Sequence, residues 1–450
     1  MSAVNSLAID TSLKGILRVA LPISVSTFVQ FLVVFTDNLF LSRLNESALN
    51  AAGNSGIMYI ALVMVAVGLS SGVQILTARR KGEQLFQEAA EIFYNSIYLA
   101  FIIGVILFIA MNLCRIFLLP HLLNDAVLMS EMDEFLTIRA FGFLVYPVVL
   151  SFIGFYSGIA ETKVLMYATI IMAVVNLIGD YFLIFGSPYW DGLGLSGAAW
   201  ASFGAECFAL IFVILYTLNK NTIILYKPKV SLWKLPLNHS KKLLKISFPL
   251  MGQQFLALAT WTSFFFMVEK MGETALYISH LTRTLYFLAF VVVFGIAQTT
   301  KTFVSTLIAE KRQDELRPTL IKLIFINVIG VFLFSHGLLL YPEWLLGMFS
   351  DDPTVLAQGA KVLNVVFFAI LIFAFASVLL NTIEGAGKTQ IAFWIELVSI
   401  VIYIIFSYLM IFTWKHEIHI VWTMDYLYFG LMGLLSGWFL WKTPWKYNQV

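Results

Sequence analysis

The chain has 450 residues, of which 60% are hydrophobic and only 12% charged, with a formal net charge of +2. Soluble domains carry about 25% charged residues, and a chain this apolar lacks the polar groups to cover its own surface in water, so a soluble globular fold is excluded. The small, scattered positive charge excludes nucleic acid as a partner. Two cysteines exclude a disulfide scaffold. Cys114 and Cys207 lie in separate apolar runs, with no His or Cys at ligand spacing, and read as packing residues.

The first apolar run, roughly residues 16–41, is too long for a signal-peptide core of about 7–15 residues, and no small-residue cleavage site follows it. It reads as a first membrane helix. A membrane helix needs about 20 mostly apolar residues, and twelve such runs follow in order. Their centres lie near Val29, Val63, Ile103, Leu144, Met172, Leu210, Leu258, Val291, Gly330, Phe368, Ile400 and Gly430. Most connections are short. The exception, 219–244, is basic, contains Pro228 and Pro236, and falls at the middle of the chain. The expected fold is therefore all-α and membrane-embedded, with an N-lobe over 1–218, a cytoplasmic linker over 219–244 and a C-lobe over 245–450.

Lys and Arg placement sets the orientation. With the N-terminus inside, 21 basic residues fall in inside segments and 6 outside, Arg139 being counted among the latter. That bias fits twelve helices with both termini cytoplasmic, in the inner (plasma) membrane. An internal repeat supports two halves. "ILRVALP" (16–22) sets on "LLKISFP" (243–249) at an offset of 227, and the same offset places Gly68 on Gly295. "GIAETKVLMY" (158–167) also resembles "IEGAGKTQIAF" (383–393). Six helices per half keep both halves in one orientation, with a pseudo-twofold along the membrane normal.

Ionisable groups inside membrane helices are expensive and mark function by default. Asp37 lies 15 residues after Pro22, and Val33, Gln30 and Ser26 step back along its face, giving a polar stripe on an apolar helix. An ionised carboxylate there needs a cation or hydrogen-bond donors; the bland alternative places it at the outer end, snorkelling to water. In the fifth helix Asn176 and Asp180 are spaced i,i+4 and share a face, with Thr169 two turns below. An amide carbonyl and a carboxylate suit Na⁺, or a proton-binding carboxyl with a neutral partner; the alternative is ordinary polar helix packing. The sixth helix opens on the small-residue run "GAAWASFGAE", carrying Ser202 and Glu206. Ser202 offers a hydroxyl to the same site. Glu206 has three readings: a third carboxylate, a cavity-facing group, or a partner of Arg283.

These segments resemble the multidrug and toxic compound extrusion (MATE) transporters. "LPISVSTFVQFLVVFTDNLFLSRLNESALNAAG" resembles their opening, with its Pro-containing first helix ending on an Asp. "GVQILTARRKGEQ" resembles the segment after helix 2, and "FYSGIAETKVLMYATIIMAVVNLIGDYFLIFG" resembles helices 4 and 5. "GLGLSGAAWAS" resembles the entry to helix 6. The resemblance covers the first half well and reaches the second more weakly, through Pro249, Gly295 and "EGAGKTQ". It implies a twelve-helix exporter of the MOP superfamily driven by inward H⁺ or Na⁺. The cation site of its DinF-like members falls on Asp37, Asn176, Asp180 and Ser202, where Thr is usual at the last. Any bound metal ion would be Na⁺ at Asp37, Asn176 and Asp180. Ala160–Glu161 stand where Gly–Asp is common. The acid positions of NorM-like members fall on Gln253 or Gln254 and near Phe373, and the counterpart of Asp37 is Phe264. The resemblance is thus closer to the DinF-like pattern, with coupling in the N-lobe.

Weaker candidates are His280 and Arg283, one turn apart, which form a cationic spot for Glu206 or Glu396, and His336, which reads as a packed side chain. The aromatics, 16% of the chain, suit flat amphipathic cations by cation–π contact, although most serve lipid and interfacial belts. No Walker-type loop, metal motif or Ser-His-Asp order points to an enzyme or a cofactor. The expectation is a monomeric multidrug antiporter in a lipid bilayer, with Pro22 as a hinge. The alternatives are a lipid-linked oligosaccharide flippase, disfavoured by acidic rather than cationic cavity residues, and a membrane-embedded transferase.

Overall fold

The computed structural model describes residues 8–123, 125–219, 226 and 237–447. It is helical throughout apart from a two-residue-per-strand hairpin, β1 (Gly186–Ser187) with β2 (Trp190–Asp191). In chain order the long helices are α1 (Leu13–Leu44), α2 (Glu46–Gly82) and α3 (Phe86–His121). The fourth, α4, is bent by 48° between Ala126–Arg139 and Gly142–Gly158. Then come α5 (Lys163–Phe185), α6 (Leu195–Asn219), α7 (Leu237–Glu269), α8 (Glu273–Ala309) and α9 (Leu316–Ser335). The last three are α10 (Pro353–Gly385), α11 (Thr389–Thr413) and α12 (Ile418–Lys442).

Ten of these are individually long and apolar enough to cross a membrane, and the bent α4 makes eleven. The remaining one, α7, has 33 residues; its apolar run is diluted by Gln253 and Gln254 and preceded by Lys241, Lys242 and Lys245. All twelve expected centres fall inside these helices. The chain is a multi-pass membrane protein. Most of the connection expected over 219–244, including Pro228 and Pro236, lies outside the described residues.

Two compact units divide the chain: Val25–Met251, here the first unit, and Met1–Ser24 with Gly252–Val450, the second. The divisions fall two residues after Pro22 in α1 and two after Pro249 in α7. A proline inside a helix removes a backbone hydrogen bond and bends it, so each helix changes unit where its ladder is weakest.

The start of α1 is fixed within the second unit. Lys322 donates to the carbonyl of Thr11 (2.9 Å), Thr11 Oγ1 donates to Glu315 (2.7 Å), and Arg312 donates to the carbonyl of Ile9 (3.0 Å). The start of α7 is fixed in the first unit by Ser240 Oγ on Asn95 Oδ1 (2.7 Å) and by His239 against Glu91 (3.2 Å). Close packing follows the same rule. A Cβ on Gly68 would strike the Met251 backbone, and one on Gly295 would strike Ser24; both partners of this pair of contacts stand 227 positions apart.

The repeat also appears in the backbone. Among the described non-glycine residues, Gln84 (φ 63°), Ala160 (φ 61°), Lys311 (φ 58°) and Lys415 (φ 50°) are left-handed. Adding the offset of 227 to Gln84 gives Lys311. Adding it to Ala160 gives Gly387, which has φ 79°. Both halves therefore turn out of their second and fourth helices through one left-handed residue. A side chain in that conformation costs about 1–2 kcal/mol, while glycine pays about 0.5–1 kcal/mol in backbone freedom. Ala160→Gly is expected to stabilise the protein by up to about 1 kcal/mol, and Gly387→Ala to destabilise it. Thermal unfolding of the purified variants checks both signs.

Candidate cation-binding site

Helices α1 and α5 of the first unit meet along a polar seam. Ser26 Oγ lies 2.6 Å from Thr169 Oγ1. Thr169 commits its own proton to the carbonyl of Leu165 (2.9 Å), so Ser26 is the donor. Eleven residues further along both helices, the carboxyl groups of Asp37 and Asp180 face one another within hydrogen-bond reach. The equal step means that the two helices run in register over three turns, about 16 Å. Gln30 lines a small cavity on this seam with Tyr146, Thr169, Met172 and Ala209.

Helix α6 closes the site. Gly179 of α5 packs on Ala201 of α6 so closely that a Cβ there would stand 3.0 Å from the Ala201 Cβ. That approach brings Asn176 to Ser202, with the amide donating to Oγ at 3.5 Å. Asn176 and Asp180 are 1% and 0% exposed. Asp37 Oδ1, Asn176 Oδ1 and both oxygens of Asp180 are buried without a hydrogen-bond donor. Two ionised carboxylates cannot donate to one another, so the pair requires a shared proton or a cation. No Lys, Arg or His makes an ion pair with either among the described residues.

Glu206 is not part of that demand. Its Oε1 accepts from Arg139 Nη2 (2.9 Å) and from the Tyr59 hydroxyl (3.1 Å), while the Arg139 guanidinium stacks 3.9 Å over the Tyr59 ring. Gly142 makes room, since a Cβ there would crowd both Tyr59 and Glu206. Arg139 closes the first segment of α4, immediately before the bend, and is 8% exposed. The bend turns this residue, counted with the outside segments, inward onto the α6 carboxylate, and of the three readings of Glu206 the structure shows an ion pair, with Arg139 and not Arg283. The charge of Arg139 also acts on Asp37.

In the second unit the amide of Gln253 donates to Glu384 Oε1 (2.9 Å), and Lys301 Nζ pairs with Glu384 Oε2 (3.0 Å). All three are buried. The acid near this helix 7 position therefore comes from α10 and is already neutralised. Gln254 is half-buried. Phe264, the counterpart of Asp37, is 1% exposed and packs on Trp422 (5.3 Å) and Tyr403 (5.8 Å). The Phe373 ring stacks on Phe429 at 4.4 Å. His280 stacks on Phe265 (5.3 Å), and Arg283 lies 5.0 Å over the same ring. Glu396 takes its hydrogen bond from Tyr428 rather than from either of them. His336 shares a hydrogen bond with the Tyr341 hydroxyl (2.8 Å).

One sequence profile, MatE, matches the chain twice, over residues 22–182 and 249–409, with starts 227 positions apart. The chain belongs to the MatE family. Members of this family are transporters rather than enzymes, and the transferase reading falls away. The chain is 22% identical to the uncharacterized transporter YisQ of Bacillus subtilis over 84% of this chain and 83% of that one. It is also 22% identical to a probable multidrug resistance protein NorM of Thermotoga maritima, over 94% and 88% of the two chains. A multidrug resistance MATE transporter solved in an outward-facing conformation superposes with a TM-score of 0.87 at 18% identity, covering 95% and 94% of the two chains. A MOP superfamily transporter from Pyrococcus furiosus gives 0.86 at 18% identity, with the same coverage.

Within this family fold, Asp37, Asn176, Asp180 and Ser202 converge, and Glu206 stands apart in its own ion pair. Sequence reasoning missed Arg139, Tyr59 and the Lys301–Glu384 pair. Breaking a buried ion pair by removing one partner costs about 3–5 kcal/mol, whereas removing both is often close to neutral. Arg139→Gln and Glu206→Gln are each expected to lower the thermal midpoint strongly. The double variant should recover most of that loss, which a double-mutant cycle on purified protein measures.

Proposed function

We propose that this transporter is a multidrug efflux antiporter of the inner (plasma) membrane, driven by inward H⁺ or Na⁺. Both termini are cytoplasmic in this reading, and the protein acts as a monomer on amphipathic cations. The coupling ion binds in the N-lobe (residues 1–218) at Asp37, Asn176, Asp180 and Ser202. The observation that carries the reading is the set of four donor-less oxygens on Asp37, Asn176 and Asp180, beside a Glu206 that already holds its counter-charge. A proton or Na⁺ satisfies those oxygens; an anionic lipid pyrophosphate does not, which disfavours the flippase reading. The names of the NorM relatives support the substrate class.

Cation binding at Asp37 and Asp180 removes the repulsion between two buried carboxylates and ties α1 to α5. Release returns it. Because α1 carries Pro22, with its second half in the first unit, a change at Asp37 has a flexible point fifteen residues back along the same helix. Binding energy at the carboxyl pair then shifts α1 between two positions, and the equilibrium moves only by the differential affinity of the ion for them.

In proteoliposomes, Asp37→Asn and Asp180→Asn are each expected to abolish gradient-driven dye efflux while leaving the thermal midpoint near wild type. Ser202→Thr should retain activity and Ser202→Ala weaken it. Imposing H⁺ and Na⁺ gradients separately identifies the driving ion. Wild-type efflux by both Asp variants overturns the coupling assignment.

A further inference from the structure

The second unit holds two other buried acids, Asp425 in α12 and Glu396 in α11, 2% and 5% exposed. Neither is in an ion pair among the described residues. The basic groups of the neighbouring helix α8 are engaged elsewhere: His280 and Arg283 on the Phe265 ring, Lys301 with Glu384. Glu384 in α10 carries that compensation, although its charge also reaches Glu396.

Three tyrosines join the two acids. Tyr286 of α8 donates to Asp425 Oδ2 (3.3 Å), and Tyr428 donates to Glu396. The Tyr428 ring lies 5.3 Å from the ring of Tyr403. Tyr403 faces Asp425, yet its buried hydroxyl has no hydrogen-bond partner, and neither has the buried hydroxyl of Ser407 one turn on. Tyr403 thus aims an unmet hydroxyl at a carboxylate without a counter-charge, with Ser407 beside it.

The repeat says where this cluster stands. At the offset of 227 that separates the two profile matches, Tyr403 and Ser407 are the counterparts of Asn176 and Asp180, Glu396 of Thr169, and Tyr286 of Tyr59. The acids stand not at the Asp37 and Asp180 positions but in α12 and three turns back along α11.

We propose that Asp425, held by Tyr286 and faced by Tyr403, and Glu396, held by Tyr428, form a second proton-binding site in the second unit, where Tyr403 and Ser407 stand at the repeat's counterparts of Asn176 and Asp180. Tyr286 donates to one oxygen of Asp425 and Tyr428 to one oxygen of Glu396, which leaves the other oxygen of each carboxyl for a proton. The cluster presents no amide or carbonyl oxygen of the kind Asn176 adds to the first site, so it favours H⁺ over Na⁺.

The test counts protons on the purified full-length protein after a pH jump, with a pH-indicator dye in weakly buffered detergent and with the infrared band of protonated carboxyls. The background is Asp37→Asn/Asp180→Asn, so failure of the first site does not affect the readout. That double variant is expected to keep part of the wild-type proton uptake. Adding Asp425→Asn and Glu396→Gln should remove the remainder and the corresponding band. Tyr428→Phe, which removes a donor to the ionised form without changing the charge count, should keep the number of protons and move their release to higher pH. The proposal is overturned if the Asp37/Asp180 background has already lost all uptake. It is equally overturned if the Asp425/Glu396 changes leave the proton count unaltered, or if added Na⁺ expels the remaining protons.

Discussion

Hydrocarbon supplies no hydrogen bonds, and every polar group within a membrane helix must find its partner inside the protein. That constraint orders the whole chain. It makes the backbone helical, it places Thr169, Thr260, Thr299 and Thr300 with their hydroxyls on carbonyls four residues back, and it turns each buried acid into a question about its counter-charge. Among the buried polar atoms left without a partner, oxygens of Asp37, Asn176 and Asp180 are grouped at one place, where, in the reading proposed above, a proton or a small cation would complete the structure.

The buried acids divide on that basis. Glu206 with Arg139 and Glu384 with Lys301 are charge pairs that balance themselves. Their value is positional: the first ties α2, α4 and α6 at the bend of α4, the second ties α7, α8 and α10. Asp37 with Asp180, and Asp425 with Glu396, have no ion-pair partner among the described residues, apart from the more distant fields of Arg139 on Asp37 and of Glu384 on Glu396. Self-balanced pairs hold a geometry; in the coupling proposed above, the unbalanced ones are the groups that would respond to an ion gradient.

Much of this was legible in the sequence because it depends on local spacing. Asn176 and Asp180 share a face at i,i+4 in any helix, the stripe from Ser26 to Asp37 is a helical period, and the offset of 227 needs only matched prolines and glycines. The seam between α1 and α5 was implicit in those two stripes. Arg139 was not legible, because a charged stretch such as "SEMDEFLTIR" reads as the end of a loop until the bend of α4 is known. The partner of Glu206 depends on that bend, not on any period. Asp425 was missed for a related reason. It follows the short break after Ile418–Val421, where an acid ordinarily meets water, and only the hydroxyl of Tyr286 from α8 shows that it is enclosed.

The repeat explains why the two units solve the same constraint differently. A duplicated bundle starts with equivalent positions, and a carboxyl at one of them is costly unless it is used. In the second unit the position of Asp37 has become Phe264, packed on the Tyr403 that stands where Asn176 stands in the first. Burying a phenylalanine there gains apolar contact and removes one acid from the site. It also leaves the Tyr403 and Ser407 hydroxyls facing a space their counterparts share with carboxyls. The acid that α12 brings, Asp425, faces the Tyr403 hydroxyl without restoring the original pair. The polar demand of the site is thereby kept while its carriers change, so the chemistry of the second unit follows from its enclosure and not from matching residues one by one.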